Sequence, residues 1–286
     1  MLTILHASDL QFGKPFRPRA AEAFRNLAFD TMPHLIVVSG DLTQRAKGRE
    51  FKAAWEFLQR LPTVPLVVTP GNHDVPLYRV FERAVFPFWR WRRHIPRDVD
   101  SVARVAGAII VGLNSAAPYQ AIVNGRITGM QLNFARKAFE SAPPGGARVL
   151  VIHHHFVPTP DGLGGAPMPG AKRILKQIED MQVDVVLGGH VHQTHFSSSR
   201  DILPGTVAGV PLIATGTTTS RRGRGPERRR NSCNLVEILG DQIQVTPHHF
   251  EARGAAFKPG EKVSLRRAGM PMAVEYPDTL LAEPRG

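Results

Sequence analysis

The sequence predicts an α/β protein in which two β-sheets lie between layers of helices. Three observations carry this expectation. Apolar, β-branched runs of strand length alternate with amphipathic helical stretches up to about residue 190. Each run closes in a short polar block of Asp, Asn, His and Gly. Beyond residue 200 the helical periodicity gives way to short runs divided by Gly and Pro, the texture of antiparallel strands in a second sheet.

In chain order, Thr3 to Ala7 is the first apolar run, followed by Ser8-Asp9 and a helical stretch from Ala20 to Phe29. Leu35 to Val38 is a strand closed by Ser39-Gly40-Asp41. From Arg49 to Arg60, Phe51, Ala54, Trp55 and Leu58 share one helical face, and Pro62 stops the helix. Val64 to Thr69 is the third strand, closed by Gly71-Asn72-His73-Asp74. This succession implies βαβ crossovers and a largely parallel layer, with ligands expected at the carboxyl ends of the strands. Leu77 to Arg93 reads as an aromatic, Arg-rich helix interrupted near Pro87. Val102–Val105 and Ala108–Leu113 read as a hairpin around Gly107. Met130 to Glu140 and Ile174 to Met181 are helical, and Val149–Ile152 and Val183–Leu187 are strands. Pro158 to Gly170 is either a loop over the site or a plain connection. Val210–Ala214, Leu235–Leu239 and Gln242–Thr246 are the expected second-sheet strands. Residues 1–250 are read as one domain, and 251–286 as a tail packed on it or extending it.

Composition narrows the partners. The chain has 286 residues, 42% hydrophobic and 21% charged, as ordinary globular proteins have. Cys233 is the single cysteine, so an intramolecular disulfide and a cysteine metal cage are both excluded. Met1 to Leu5 lacks the features of a signal peptide, no run is long enough to span a bilayer, and a cytoplasmic location is expected. The net charge is +12, concentrated in Arg79–Arg97 and in Arg221–Arg230. That excess suits an anionic partner: a phosphate compound, nucleic acid or an anionic membrane surface. No recognisable nucleic-acid module accompanies it, so nucleic acid is not favoured. For Phe86 to Arg93, aromatics packed on the core with arginines reaching outward is preferred over a membrane contact.

Five blocks carry the chemistry: Asp9-x-Gln11, Gly40-Asp41, Gly71-Asn72-His73-Asp74, His153-His154-His155 and Gly189-His190-Val191-His192. Each alone is commonplace as a turn or cap. Together, at the ends of successive strand-like runs, their carboxylates and imidazoles read as one site for two divalent ions. Asp41, closing a central strand, is the natural bridge. His190 and His192 alternate by two, so a tight Gly-Gly turn is needed to bring both to one side.

The same series resembles the calcineurin-like metallophosphoesterase superfamily over roughly residues 1–245. It looks closest to small bacterial members related to class III cyclic-nucleotide phosphodiesterases, on Thr215 to Arg222 and Asn231 to Leu235. The resemblance implies a four-layer αββα sandwich of two mixed sheets flanked by helices. It implies two metal ions, with Mn, Fe or Zn expected. Asp9, Asp41 and His192 would hold the first, and Asp41, Asn72, His153 and His190 the second. His154 is the alternative to His153. His73 would assist the leaving group, with Asp74 orienting it through a hydrogen bond. The implied reaction is phosphoester hydrolysis of a small molecule, possible substrates including cyclic nucleotides, by a hydroxide between the metals. Alternatives are a lipid-linked or nucleotide-sugar pyrophosphatase, a nuclease and a non-catalytic phosphate binder. Position 11, normally histidine in this superfamily, is Gln11 here. Either it ligates through its amide oxygen with a harder metal, or it leaves the first ion weakly held.

Overall fold

The computed structural model describes residues 1–120, 122–159, 162, 164–205 and 209–268. Six helices and thirteen strands are assigned among them. The first sheet contains β1 (Leu2–Ala7), β2 (Leu35–Ser39), β3 (Leu66–Thr69), β10 (Ser232–Leu239), β11 (Gln242–Glu251), β12 (Ala256–Pro259) and β13 (Val263–Arg266). Its order is β12-β11-β10-β1-β2-β3, with β13 on another stretch of β11. β1, β2 and β3 run parallel, and β10 pairs antiparallel with β1. The second sheet has the order β4-β5-β6-β7-β9-β8, from β4 (Ser101–Val105), β5 (Ala108–Gly112), β6 (Arg148–Val151), β7 (Val185–Gly188), β8 (His195–Ser198) and β9 (Pro211–Ala214). Both sheets are mixed.

Side-chain alternation builds the layers. Leu5 and Ala7 of β1 and Ile36 and Val38 of β2 face an outer core with Phe24 of α1 (Pro18–Thr31) and Phe51 and Ala54 of α2 (Gly48–Leu58). Their neighbours Leu2, Ile4, Leu35 and Val37 face the second sheet, where Ile110, Val149, Val151, Val185 and Leu187 meet them. The other face of that sheet, with Ile109, Val111 and Leu150, packs on Leu132, Ala135 and Phe139 of α5 (Gly129–Glu140) and Ile174, Leu175 and Ile178 of α6 (Ala171–Asp180). Strands buried on both faces read as continuous apolar runs, which is why β2, β5 and β6 stood out in the sequence. Each fully buried Val, Leu or Ile contributes about 1.5–3 kcal/mol, so these three layers hold the αββα sandwich together.

Local signals fix the helix ends. Pro18 opens α1, and at α5 the Thr128 hydroxyl accepts from Gln131 N while Thr128 N donates to Gln131 Oε1. The aromatic stretch splits into α3 (Val80–Val85) and α4 (Trp89–His94). Only Trp91 of α4 enters the core, edge-on to Phe51, with its indole donating to Arg97 O. Phe86 is 60% exposed and Trp89 40%, so the expected packing of this stretch holds only in part.

The placement of the late strands needs correction. β10 and β11 join the first sheet, not the second, because β10 lies beside β1. Only β9 enters the second, and it runs parallel to β7. The segment after Arg253, read as a tail on the domain, adds β12 and β13 to the first sheet. Arg267, just past β13, forms a buried ion pair of 3.0 Å with Asp184, just before β7, and so links the two sheets.

Candidate metal centre

Every singled-out block lies just past the carboxyl end of a strand: Asp9 and Gln11 after β1, Asp41 after β2, Asn72 to Asp74 in a 3-10 turn after β3, His153 after β6, and His190 and His192 after β7. β2 lies between β1 and β3, one strand from the sheet edge, so Asp41 closes a next-to-edge strand instead of a central one. The structure brings the blocks together.

His192 Nδ1 lies 2.9 Å from Arg222 O and donates to it, which leaves Nε2 as a lone pair. That nitrogen lies 3.0 Å from Asp9 Oδ1, a fully buried oxygen with no hydrogen-bond partner. The other Asp9 oxygen accepts from Ser8 Oγ at 2.7 Å and from His190 N at 3.1 Å. Two lone pairs facing each other in a dry site need a cation or a proton between them. Burial would raise the Asp9 carboxyl, but a proton placed on His192 Nε2, with His153 and the Ser8 hydroxyl, holds it well below the usual carboxylate range.

A second convergence lies alongside. His153 Nδ1 donates to Ser39 O at 2.7 Å, so its Nε2 faces inward. Asp41 Oδ1 is 3.5 Å from that nitrogen and Asn72 Oδ1 is 3.2 Å from it. His190 Nδ1 lies 3.0 Å from the same Asn72 oxygen. Burial lowers the basicity of His153, but the Asp41 and Asp9 carboxylates beside it raise it by more, so this imidazole holds a proton more tightly than a free one. Burial and the neighbouring imidazoles hold His190 neutral. Asp9, Asp41 and His153 offer ligand atoms all within 4.8 Å of one another, a buried group that can hold a metal ion. Asp41 reaches both convergences: Oδ1 faces His153, and Oδ2 accepts from Gln11 Nε2 at 3.3 Å.

His154 faces elsewhere. Its Nδ1 contacts Ser115 Oγ at 2.8 Å and its Nε2 contacts Ile122 O at 3.3 Å. The register of the triplet therefore puts His153 inward. Gln11 is fully buried with its amide oxygen turned away, accepting from Ser220 Oγ at 2.9 Å. Its amide nitrogen points at Asp41 Oδ2 and lies 3.4 Å from His192 Nε2.

The turn that aims His190 and His192 is not a Gly-Gly turn. Both histidines themselves take left-handed backbone, φ 71° and 59°. Gly189 is needed for close approach instead: a Cβ there would lie 1.8 Å from Ser8 Oγ. The expected Asp74–His73 bond is also absent. His73 Nδ1 lies 3.0 Å from Gln44 O and donates to it. Asp74 accepts from Leu42 N, Thr43 N, Thr43 Oγ1 and Gly71 N, and so shapes the loop that carries Asp41. Burial, with the Asp41 carboxylate adding to it, pushes the Asp74 carboxyl up to about 7 against those donors.

A cleft of about 270 Å³ opens over the two convergences, walled in part by Asn72, His73, Gly164, His190, His192 and Arg222. Gly164, Gly165 and Ala166 of the Pro158–Gly170 loop border it, while Pro160, Asp161 and Leu163 lie outside the described residues. Arg222 closes the Thr215–Arg222 block, but motif reading gave it no role. Its guanidinium Nη1 sits 3.1 Å from His73 Nε2 and 3.4 Å from Gln44 Oε1, with no carboxylate within ion-pair distance among the described residues. The signal was present in the arginine run that follows Ser220, but charge density alone does not single out one arginine of six.

The family profile of calcineurin-like phosphoesterases matches residues 2–194. The chain belongs to the calcineurin-like phosphoesterase family. Similar folds come from distant proteins. A dimetal phosphatase from Danio rerio is 11% identical with TM-score 0.63, over 93% of this chain and 99% of that one. A purple acid phosphatase from yellow lupin seeds is 11% identical with TM-score 0.66, over 96% of this chain but only 57% of that one. GAP50, the anchor in the inner membrane complex of Plasmodium, is 14% identical with TM-score 0.58, over 93% of this chain and 89% of that one. A search of curated protein sequences found no match. At such identities the likeness establishes the fold. The family match ends at Thr194, so Ser220 and Arg222, which touch Gln11 and His73, come from beyond it.

Proposed function

We propose that the chain is a metal-dependent phosphodiesterase whose ions are held by Asp9, Asp41 and His192 on one side and by Asp41, Asn72, His153 and His190 on the other. The observation that carries this is the pair of buried convergences sharing Asp41, one of them with an orphaned carboxylate oxygen facing an imidazole lone pair. The donor set fits the group, since mixed carboxylate and imidazole donors suit Mn, Fe or Zn. Bound ions supply Lewis acidity and an activated water for attack on phosphorus.

The chain's own residues do the rest. Ser39 O and Arg222 O fix which nitrogen of His153 and of His192 faces inward, and Asp9 Oδ2 accepts from His190 N, which holds the His190 turn in place. His73, oriented by Gln44 O, presents Nε2 to the cleft beside Arg222. In this tautomer Nε2 accepts from Arg222; as imidazolium, with the Arg222 guanidinium turned to a non-bridging phosphate oxygen, His73 would give the Nε2 proton to a leaving alkoxide. Cyclic nucleotides are one substrate class compatible with this arrangement. A cytoplasmic location is part of the proposal. Hydrolysis of bis(p-nitrophenyl) phosphate with added Mn is the test. Turnover lost in Asp41→Asn supports the enzyme, whereas ligand binding without turnover under Mn, Fe or Zn would leave a non-catalytic phosphate binder.

One observation favours a second reading. Phe86 and Trp89 border an apolar groove of about 700 Å³ that Tyr119, Met130 and Phe134 complete, and all five are exposed. Such a surface suits a phosphoester with an apolar tail. Faster hydrolysis of a lysophospholipid diester than of bis(p-nitrophenyl) phosphate would favour that class.

A further inference from the structure

Arg222 also forms the wall of a second cleft, of about 840 Å³, lined further by Lys14, Gln44, Arg45, Lys47 and Arg49. Five cationic side chains thus meet in one concavity, and none has a carboxylate within ion-pair distance among the described residues. The one acid there, Glu50, is buried, and its carboxylate accepts from the backbone N–H groups of Arg45 and Lys47, where it caps α2. Some cations elsewhere are paired, as Arg79 and Arg90 are with Glu82 and Arg25 and Arg60 with Glu22, so the cleft is set apart by the convergence of its five cations on one concavity. Like charges gathered without counter-charges repel one another, and a concave wall focuses their field on any anion that enters. The two clefts meet at Arg222, whose Nη1 reaches His73 on one side and Gln44 on the other.

We propose that this second cleft is a phosphate subsite, and that the substrate is a phosphoester carrying a further phosphate group beyond Arg222 from the metal centre. The inference rests on the phosphodiesterase reading and deepens it. One chemistry, a second phosphate on the same molecule, covers a nucleotide with an additional phosphate and a single-stranded nucleic acid. Contacts would be to phosphate oxygens, so they position the substrate without reading bases.

The test compares p-nitrophenyl thymidine 5′-phosphate with the same ester carrying a 3′-phosphate. It repeats this for thymidine 3′-(p-nitrophenyl phosphate) with and without a 5′-phosphate, in Mn at low salt. In the wild type the extra phosphate should lower KM about tenfold in one of the two polarities, the effect of one or two charge-assisted bonds. The gain should vanish in Arg45→Ala/Lys47→Ala or in Lys14→Ala/Arg49→Ala, with kcat/KM for bis(p-nitrophenyl) phosphate unchanged. Adding salt should shrink it. A further fall in KM for a ten-residue oligothymidylate ester identifies a strand as the source of the second phosphate, and no further fall identifies a small bisphosphate. Equal KM with and without the extra phosphate in both polarities, or a gain that survives both double variants, overturns the subsite. No turnover of bis(p-nitrophenyl) phosphate by the wild type would instead remove the hydrolase reading beneath it.

Discussion

Gln11→His is the perturbation that weighs most on the first cation position. The wild-type amide nitrogen donates to Asp41 Oδ2 at 3.3 Å and lies 3.4 Å from His192 Nε2. Its orientation is set from behind, because Ser220 Oγ donates to the amide oxygen. An ion entering between Asp9 and His192 must take both lone pairs away from this amide. The long bond to the Asp41 carboxylate is worth about 1.5 kcal/mol and the one to the neutral imidazole about 1 kcal/mol. Histidine removes both competitors, so the gain is about 2.5 kcal/mol, or roughly 70-fold in affinity, before any contribution from its own nitrogen. The backbone is no obstacle, since position 11 has φ 48° and histidine tolerates that region better than most residues. Titration of chelator-stripped protein with Mn, followed by the loss of the free-ion signal, measures both sites. In the wild type the second equivalent should bind more weakly than the first, and in Gln11→His the two should converge. A variant that binds its second equivalent no more tightly would refute both the donor role of the amide and the cation position between Asp9 and His192.

The remaining predictions are independent of that one. Arg222→Ala should cut kcat/KM for bis(p-nitrophenyl) phosphate by roughly 100-fold with little change in urea midpoint, as loss of a charge-assisted phosphate contact does; Arg222→Lys should recover only part of it, lacking the planar fork. Gly71→Ala should lower stability by about 3 kcal/mol or more, since its Cβ would lie 2.2 Å from Asp41 Oδ1 and 2.5 Å from Asp41 N, and an unchanged melting temperature would show that the loop can give. Burial lowers His6 to about 3, with its Nε2 2.9 Å from Ser39 Oγ, so the folded protein keeps it neutral where the unfolded chain protonates it near 6.5. Stability is therefore lost as pH falls from about 6.5 toward 3, at up to about 1.4 kcal/mol per pH unit, and urea denaturation of metal-loaded protein between pH 7 and 5 should show a shallower loss in His6→Gln. Arg267→Ala leaves Asp184 charged and buried and should cost about 3–5 kcal/mol, measured in urea, which would show that the strands after residue 251 are integral to the fold.

The parallel half of each sheet was legible because two-faced burial leaves an uninterrupted apolar run, as in Leu35–Val38 and Val149–Ile152. The candidate ligands were legible because each follows such a run directly. What sequence reasoning missed depends on long-range pairing. The pattern of Leu235–Leu239 marks a strand, but nothing local says that its neighbour is β1, more than two hundred residues earlier. The same holds for Asp74. The resemblance implies that it orients His73, yet the carboxylate turns to four donors, two of them on Thr43, from the loop after β2 and from Gly71. Arg222 could be placed only once β9 had been set beside β7, which carries the segment after Ala214 across the site.

Backbone conformation ties the ligands to one another. Of the eleven non-glycine residues with positive φ among those described, five are Asp9, Gln11, Asp41, His190 and His192. Left-handed backbone costs about 1–2 kcal/mol per residue, so the five together cost about 5–10 kcal/mol, as much as a domain's whole stability. Asp and His bear that cost better than most types, whereas Gln11 has no such excuse. The conformations persist because neighbouring loops determine them more than once. Asp9 N, Gln11 N and Phe12 N donate to Gly40 O, Asp41 O and Leu42 O, and Gln44 N returns to Phe12 O. This short parallel ladder continues β1 and β2 beyond their regular ends and locks the first two loops in register. Arg224 N then donates to His192 O, which extends the same restraint to the arginine segment. Strain concentrated on candidate ligands and held by cross-loop bonds is what a site selected for position would show, and a decaying site would be expected to relax first at these residues. The buried and strained arrangement, locked by bonds between loops, keeps the donors of Asp9, Asp41 and His153 close enough to hold a metal ion.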